Sequence, residues 1–471
     1  MGSTCALGRS GTGSRMIEAM VPDDHLLRRV DRLLDLDILR TLLVSRYSAR
    51  GRPSVDPELL IRMALVRRIY AIGSERRLCE EVRYNIAYRW FCRLPIGAPV
   101  PHHSTFSKNR YGRFREADVF RVLFEATVRR CMAEGLVAAK DAAIDASFVA
   151  ADASWQRKMR DGDLAGPHSR PVREWLQDEA VAVTPSGPGR GAPAQLSRTD
   201  PAAAWAARGG RAKFGYALNL LIDTPGGVAI EVEATPARSA TEVDAGQTML
   251  IQAAHRFGFR PKRVAADTAY GGAPFLAFVI DHGAVPHVPV LERSGQSKGK
   301  FPRHAFRYDS TNDRYICPEG KPLAHITFHQ PTNVHRYRAR SRDCRACPSK
   351  SRCTSSIHRT LARLHDEDAR DIVRREMQTG LYMRSMRLRR GVERSFADVK
   401  IKRGLSRLHL RGIRGAEEEF LLTAAVSNLL LLARRNESPP KRKRIRRAFV
   451  RPSGMANLSR EVAAAKRNSR Q

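Results

Sequence analysis

Two aspartates stand in short apolar stretches where a carboxylate is unusual. Asp145 lies in "AAIDASF", and Asp267 ends the stretch "RVAAD". Aspartate is disfavoured inside strands, and carboxylates at the strand ends of an α/β sheet often face a ligand crevice. Each aspartate is therefore a candidate for chemistry. The alternative, an aspartate that caps a turn, is common and stays open for both.

Glu393 is a third candidate, and its surroundings are strongly basic. It lies in "RSMRLRRGVERSFADVKIKRG", residues 384–404. If this segment is a helix, about 100° per residue puts Met386, Arg389, Glu393 and Lys400 within about 60° of one another. One interpretation is a carboxylate that binds a metal ion, with cations beside it for phosphates. The other is a solvated stripe with an ordinary Arg389–Glu393 pair at i, i+4.

Four late cysteines form another candidate metal site. Cys344, Cys347 and Cys353 lie in "CRACPSKSRC", and Cys317 lies upstream in "YICPEGK". A CxxC pair with two further cysteines can bind Zn²⁺ tetrahedrally, although the last spacing departs from a regular paired-knuckle pattern. The alternative is four reduced cysteines packed in a small subdomain.

The elements that would position the two aspartates alternate between strands and helices. Strand patterns occur at residues 138–151, 213–223 and 228–234, with a hairpin turn at "TPGG". A helix at 241–258, a short strand at 262–267, a helix at 273–283 and a strand at 284–292 follow. This order predicts a mixed sheet covered by helices.

Residues 22–115 have helical patterns instead. Asp56 is a predicted N-cap with Pro57 as the first helical residue, and Ser74 or Ser104 can begin further helices. Several short helices with arginines on their outer faces favour a helix-turn-helix-like DNA-binding bundle. A packing or dimerisation bundle is an equally good interpretation of the pattern.

The charge balance points to a polyanionic partner. The 471 residues include 83 Lys+Arg against 48 Asp+Glu, a formal net charge of +35. Nucleic acid is the natural partner because neutralised phosphates release counterions, although a ribosome-associated or merely basic protein would show the same balance. No apolar run of transmembrane length occurs, and the first residues do not resemble a secretory signal. We therefore expect a reduced, cytoplasmic, nucleoid-associated protein without a membrane partner.

Composition also predicts the domain boundaries. We expect a disordered leader over residues 1–20, a helical domain over 21–130, for which DNA binding is one interpretation, and an α/β domain over 131–435. The α/β domain, which the resemblance described below implies is catalytic, would carry inserts at about 153–212, which is rich in Pro and Gly, and at about 294–365, which bears the cysteines. The basic stretch 436–471 is predicted to be a disordered tail.

The three carboxylate segments together resemble a known family. "AAIDASFVAADAS", "RVAADTAYGG" and "GVERSFADVKIKRGLSRLHLRG" are similar to the motifs of the DDE transposases of bacterial insertion sequences. The resemblance extends from about residue 25 to 435. Its most specific part is the pattern Tyr, two residues, Arg, three residues, Glu, six residues, Lys. Arg389, Glu393 and Lys400 fit that spacing, whereas Met386 stands where the family has tyrosine.

The resemblance implies a fold, an activity and a set of site residues. The fold would be RNase H-like: an α/β mixed sheet with flanking helices, preceded by an α-helical DNA-binding domain. Asp145, Asp267 and Glu393 would form the catalytic triad and hold Mg²⁺ or Mn²⁺, two ions in all. Clustered carboxylates repel one another without metal, so their proton affinities should rise. Arg389, Lys400, Lys402, Arg403 and Arg407 would contact DNA.

The implied partner is double-stranded DNA, both transposon ends and target, handled by a homodimer in the synaptic complex. The chain would bind terminal inverted repeats, cut the ends and join them to a target. Two alternatives stay open. An RNase H-like nuclease would use the same carboxylates without joining, and a catalytically inactive, transposase-derived protein would only bind DNA.

Overall fold

The computed structural model describes residues 12–47, 54–154, 158–159, 170, 172–175, 196–206, 212–237, 239–291 and 299–435. The predicted tail 436–471 and most of the predicted insert 153–212 lie outside the described residues. The described residues up to Ala433 belong to one compact unit. No helix in these ranges is long and apolar enough to cross a membrane.

The first part of the chain is helical, as its pattern predicts. Its helices are α1 Thr12–Met20, α2 Leu26–Leu33, α3 Asp37–Val44, α4 Pro57–Ile69, α5 Glu75–Tyr84, α6 Ile86–Phe91, α7 Ser104–Asn109, followed by a π-helical turn Arg110–Phe114, and α8 Val119–Ala133. The predicted caps are confirmed at two helices. The Asp56 carboxylate accepts from the Glu58 N–H, and the Ser74 hydroxyl accepts from the Arg77 N–H.

The structure differs from the predicted disordered leader in its second half. Residues Thr12–Met20 form helix α1, whose Ile17 is buried. The indole N–H of Trp90 donates to the Glu18 carboxylate at 2.6 Å, and Arg28 pairs with the same carboxylate. A helix this short is marginal alone, so these tertiary contacts order it. The sequence pattern of α1 does not reveal them.

The α/β part of the chain is built on a six-stranded mixed sheet. Its strands are β1 Asp141–Ala150, β4 Ala204–Ala206, β5 Lys213–Asp223, β6 Val228–Pro236, β7 Arg263–Ala265 and β8 Val285–His287, while β2 Lys158–Met159 pairs with β3 Leu196–Ser197 separately. Strand β5 is antiparallel to β1, β4 and β6, and β1 continues in parallel through β7 to β8. The order β6-β5-β1-β7-β8, with three antiparallel strands followed by two parallel ones, confirms the RNase H-like class.

The hairpin between β5 and β6 shows how the local sequence produces this sheet. Both strands are rich in apolar residues and mostly buried, as a sheet covered on both faces requires. The turn closes through a hydrogen bond from the Gly227 N–H to the Asp223 carbonyl at 2.8 Å. Gly227 has φ of 70°, which favours glycine. The predicted turn at "TPGG" is confirmed.

Helices cover the sheet on both sides. They are α9 Ser239–Phe257, α10 Ala273–Asp281, α13 Glu367–Glu376, α14 Gly380–Ala397, which continues as a π-helical turn Asp398–Lys402, and α15 Gly412–Arg435. Helix α14 packs against β1, β7 and β8. Helix α15 is tied to the N-terminal helices by a buried ion pair between Glu419 and Arg68 of α4. The helical part and the sheet therefore share one hydrophobic core.

A second, antiparallel sheet fills the predicted cysteine-bearing insert. Its strands are β9 Arg307–Asp309, β10 Arg314–Ile316, β11 Pro322–His329, β12 Val334–Ala339 and β13 Thr360–Leu364, in the order β13-β12-β11-β10-β9. Short helices α11 Ser341–Arg345 and α12 Lys350–Cys353 join β12 to β13. The insert has its own small core, which includes Tyr315, Leu323 and Tyr337.

Candidate active site

Asp145 and Asp267 come from neighbouring parallel strands. Ala143 of β1 pairs with Ala265, the last residue of β7. Asp145 lies two residues further along β1, which continues to Ala150, and Asp267 lies two residues beyond the end of β7. Parallel strands lie about 4.8 Å apart, so the two aspartates occupy neighbouring backbone positions. The Asp267 carboxylate accepts from the Ala269 N–H at 2.9 Å, which confirms the turn-capping interpretation; a crevice-facing role for Asp267 remains a prediction.

Helix α14 brings the third carboxylate to the same strands. The Thr379 hydroxyl caps its first turn. The buried Ser385 hydroxyl donates to Asp141 of β1 at 3.3 Å, and the Arg389 guanidinium donates to Asp145 at 2.8 Å. These two contacts hold one side of the helix against β1. Glu393, one turn after Arg389, is exposed and makes no hydrogen bond or ion pair within the described part of the chain.

The other two carboxylates act on Asp145 electrostatically. Burial raises the pKa of the Asp145 carboxyl, the positive charge of Arg389 opposes that rise, and the negative charges of Asp267 and Glu393 add to it. Burial, rather than repulsion among carboxylates, is therefore the main cause of the raised pKa of Asp145.

The donor types suit a hard divalent ion, which prefers carboxylate and water oxygens. Among the described residues, however, no group of three or more His, Cys, Asp or Glu side chains is placed to hold a metal ion. Arg389 and Asp145 are both mostly buried, at 18% and 16% side-chain exposure. Their ion pair satisfies an oxygen that a metal would use, so a metal ion and Arg389 would compete for the same carboxylate.

Lys400 and Lys402 lie in the π-helical turn after α14, beyond Glu393. Lys400 is half-buried, and burial lowers the pKa of its ammonium group. Lys402 is exposed and pairs with Asp398 at 3.3 Å. A half-buried lysine has fewer side-chain conformations to lose on binding a phosphate. A DNA-binding role for Lys400 and Lys402 remains a prediction.

The structure uses the next two arginines differently from the prediction. Arg403 is buried: its guanidinium donates to the Ile69 carbonyl of α4 at 2.5 Å and pairs with Asp398. It joins the segment after Glu393 to the N-terminal helices. Arg407 is exposed but pairs with Asp152 at 2.9 Å. A DNA-binding role for either remains a prediction.

Sequence reasoning missed a tyrosine on the same stripe of α14. Tyr382 lies four residues before Met386, so both point to the same side of the helix. Burial raises the pKa of the Tyr382 hydroxyl, and the charge of Arg389 opposes the rise. The signal was present in "GLYMRSM" but stands one turn before the motif position.

The four late cysteines do gather in the insert. Burial raises the pKa of the Cys353 thiol, and the three other sulfurs, those of Cys344, Cys317 and Cys347, add to the rise. The Cys317 sulfur accepts from the Lys321 N–H at 3.3 Å. Their donor set suits Zn²⁺, yet the described residues include no metal-holding group of three. Zinc therefore stays a prediction.

Two family models match the chain. One, described as "Transposase domain (DUF772)", matches residues 15–111, and the other, "Transposase DDE domain", matches residues 186–429. Asp267 and Glu393 lie inside the second range, and Asp145 lies between the two. No curated protein matches. Among solved structures, the chain is similar to the piggyBac transposase in a synaptic complex with hairpin DNA. The identity is 9% and the TM-score 0.32, over 92% of this chain and 77% of that one.

Proposed function

Because the chain belongs to the Transposase DDE domain family, we propose that it is a DNA transposase with Asp145, Asp267 and Glu393 as its catalytic carboxylates. It would bind the terminal inverted repeats of an insertion sequence, cut the DNA at the ends and join the freed ends to a target. Family membership supports an enzyme that acts on DNA. The residue assignments are our own inference.

One observation carries the assignment. The register of β1 and β7 puts Asp145 and Asp267 at neighbouring positions of adjacent parallel strands, and the contact of Arg389 with Asp145 brings helix α14, which carries Glu393 one turn later, to the same strand. Like charges on neighbouring elements add nothing to stability. Carboxylates from three separate segments are the donors that a shared divalent cation would use.

Each residue has a distinct role in this proposal. Asp145, Asp267 and Glu393 would hold Mg²⁺ or Mn²⁺, which supplies activation of a water or 3′-hydroxyl and stabilises the leaving oxygen. When a metal ion binds Asp145, the Arg389 side chain would move from Asp145 to a DNA phosphate, because arginine binds carboxylates and phosphates with similar geometry. Lys400 would neutralise a neighbouring phosphate.

The helical part would supply recognition of the ends. Helices α1 to α8 carry many arginines, and the match to a transposase domain over residues 15–111 covers most of them. Synapsis of two ends would require two copies, so we propose a homodimer on DNA. The buried Arg68–Glu419 pair would hold the end-binding helices to the catalytic sheet.

The test is a cleavage and strand-transfer assay on the end sequences that flank the gene. Wild type is compared with Glu393→Gln, which removes a charge and keeps the shape, and with Glu134→Gln, which removes a partly exposed carboxylate at the end of α8. We expect wild type and Glu134→Gln to nick and join ends in Mg²⁺, and Glu393→Gln only to bind them.

Other results would favour the alternatives. Nicked products without joined ones would indicate a nuclease. Binding without any cutting, in every variant, would indicate an inactive DNA-binding derivative. Cutting by Glu393→Gln at the wild-type rate would remove Glu393 from the metal site.

A further inference from the structure

The five-stranded sheet of the insert has two different faces. Along β12, exposed and buried residues alternate: Arg336 and Arg338 are exposed, and Tyr337 and Ala339, which follow them, are buried. The buried face packs an aromatic core in which the rings of Tyr315 and Tyr337 lie 5.1 Å apart. Because side chains alternate along a strand, the opposite face is the one on which the two arginines stand.

Small side chains form the floor around these arginines. Arg336 pairs across the sheet with Thr327 on one side and Ala362 on the other. Arg338 has Ala324 and Thr360 in the same positions. All four neighbours are exposed. The guanidinium groups therefore rise above a flat surface that a large, regular partner can approach.

The positive charge on this face is not compensated. Arg307 of β9 lies on the same face two residues before Asp309, and like Arg336 and Arg338 it makes no hydrogen bond or ion pair within the described part of the chain. The carboxylate in the next row, Asp309, already pairs with Arg314 at 2.9 Å. The remaining arginines are free to bind an anion.

We propose that this face, defined by Arg307, Arg336 and Arg338, binds the phosphate backbone of duplex DNA without reading its sequence. Arg336 and Arg338 lie two residues apart, about 6.7 Å along the strand. Arginines at this spacing can contact neighbouring phosphates of one DNA strand. A flat face with small side chains offers no groups to read base edges, so it would position DNA rather than recognise it. This inference rests on the proposal that the substrate is DNA.

The experiment measures how DNA affinity depends on salt. Arg336→Gln plus Arg338→Gln is compared with Arg260→Gln plus Lys262→Gln, which removes two exposed charges beside β7 of the main sheet, outside the insert. All proteins carry Glu393→Gln so that no DNA is cut. The probe is a labelled, mixed-sequence duplex, with the corresponding single strand as a second probe.

We expect the insert variant to reduce the slope of log K against log salt by about 1.8, because each lost phosphate contact removes about 0.9. Affinity at 0.1 M salt should fall roughly 10- to 60-fold on the same basis. The control should keep the wild-type slope. Equal melting temperatures of the variants would exclude unfolding as the cause.

Two outcomes would overturn the inference. The first is an unchanged slope for the insert variant, or the same loss in the control, which would make the effect one of net charge. The second is an equal change with the single strand, which would assign the face to another form of nucleic acid. Neither outcome depends on catalysis, so a failure here is distinguishable from a failure of the carboxylate assignment.

Discussion

Replacing Arg389 by glutamine should increase the affinity of the DNA-free protein for divalent metal. In the wild-type structure the guanidinium donates to the Asp145 carboxylate at 2.8 Å, and both side chains are mostly buried. A metal ion that binds Asp145 must displace this positive charge or approach against its repulsion. The variant removes the competitor and keeps a polar side chain of similar length.

The magnitude follows from the geometry of the pair. Two unit charges about 4 Å apart interact with about 4 kcal/mol at an effective dielectric constant of 20. Displacement by metal recovers much of that energy, because the guanidinium regains water or a phosphate. We therefore expect a gain of 10- to 100-fold in Mn²⁺ affinity, about 1.4 to 2.8 kcal/mol.

The assay is calorimetric titration of Mn²⁺ into the protein, with Arg390→Gln as the control. Arg390 lies on the same helix, is exposed and makes no ion pair in the described part of the chain, so it tests the charge change alone. Adding Glu393→Gln to either variant should abolish the tight site. The reasoning is refuted if Arg389→Gln binds Mn²⁺ no more tightly than Arg390→Gln does, since Arg389 would then not compete.

Three further predictions concern stability and the insert. Burial raises the pKa of the Asp200 carboxyl to about 6, compared with about 3.9 in the unfolded chain. The contribution of this group to the free energy of unfolding is therefore fully present below the unfolded pKa. It is lost, by up to about 3 kcal/mol in all, as the pH rises through the folded pKa. Asp200→Asn should melt higher than wild type at pH 8 and lose this dependence between pH 4 and 8. Gly271→Ala should destabilise the folded protein by about 1–3 kcal/mol, because the added Cβ would lie 2.1 Å from a backbone carbonyl oxygen. Gly272→Ala is the control and should melt like wild type, because its added Cβ would have its nearest neighbouring atom at 4.0 Å. If the cysteines bind zinc, the purified protein should contain it by elemental analysis and Cys344→Ser should lack it; an equal, negligible zinc content in both would favour reduced, packed cysteines.

Most of the sheet could be predicted because its strands carry strong local signals. Residues 213–223 are mostly apolar, the turn contains adjacent glycines, and the strand at Arg263–Ala265 lies between two helices. Helix α1 could not be predicted in this way. Its order depends on Glu18 meeting Trp90 and Arg28, and no local pattern encodes contacts between distant segments.

Only part of the candidate site could be predicted from the sequence. The spacing of Arg389 and Glu393 predicts that they share one side of the helix; in the structure Arg389 contacts Asp145 of β1, whereas Glu393, one turn later, is exposed. The partner of Arg389 was not predictable, because the i, i+4 rule favours Glu393 whereas the tertiary fold offers the more buried Asp145. Tyr382 was not predictable from the motif, because it lies one turn before the motif position at Met386.

The basic segment around Glu393 therefore supplies less charge to DNA than its composition suggests. Arg389 neutralises Asp145, Arg403 bonds to Ile69 and Asp398, and Arg407 pairs with Asp152. These contacts position the segment on the sheet and on the N-terminal helices. A site that binds a polyanion then needs cations from other surfaces, or its own arginines must leave their carboxylate partners when substrate and metal bind. The free arginines of the insert sheet would meet the first need, and the exchange of Arg389 from carboxylate to phosphate would meet the second.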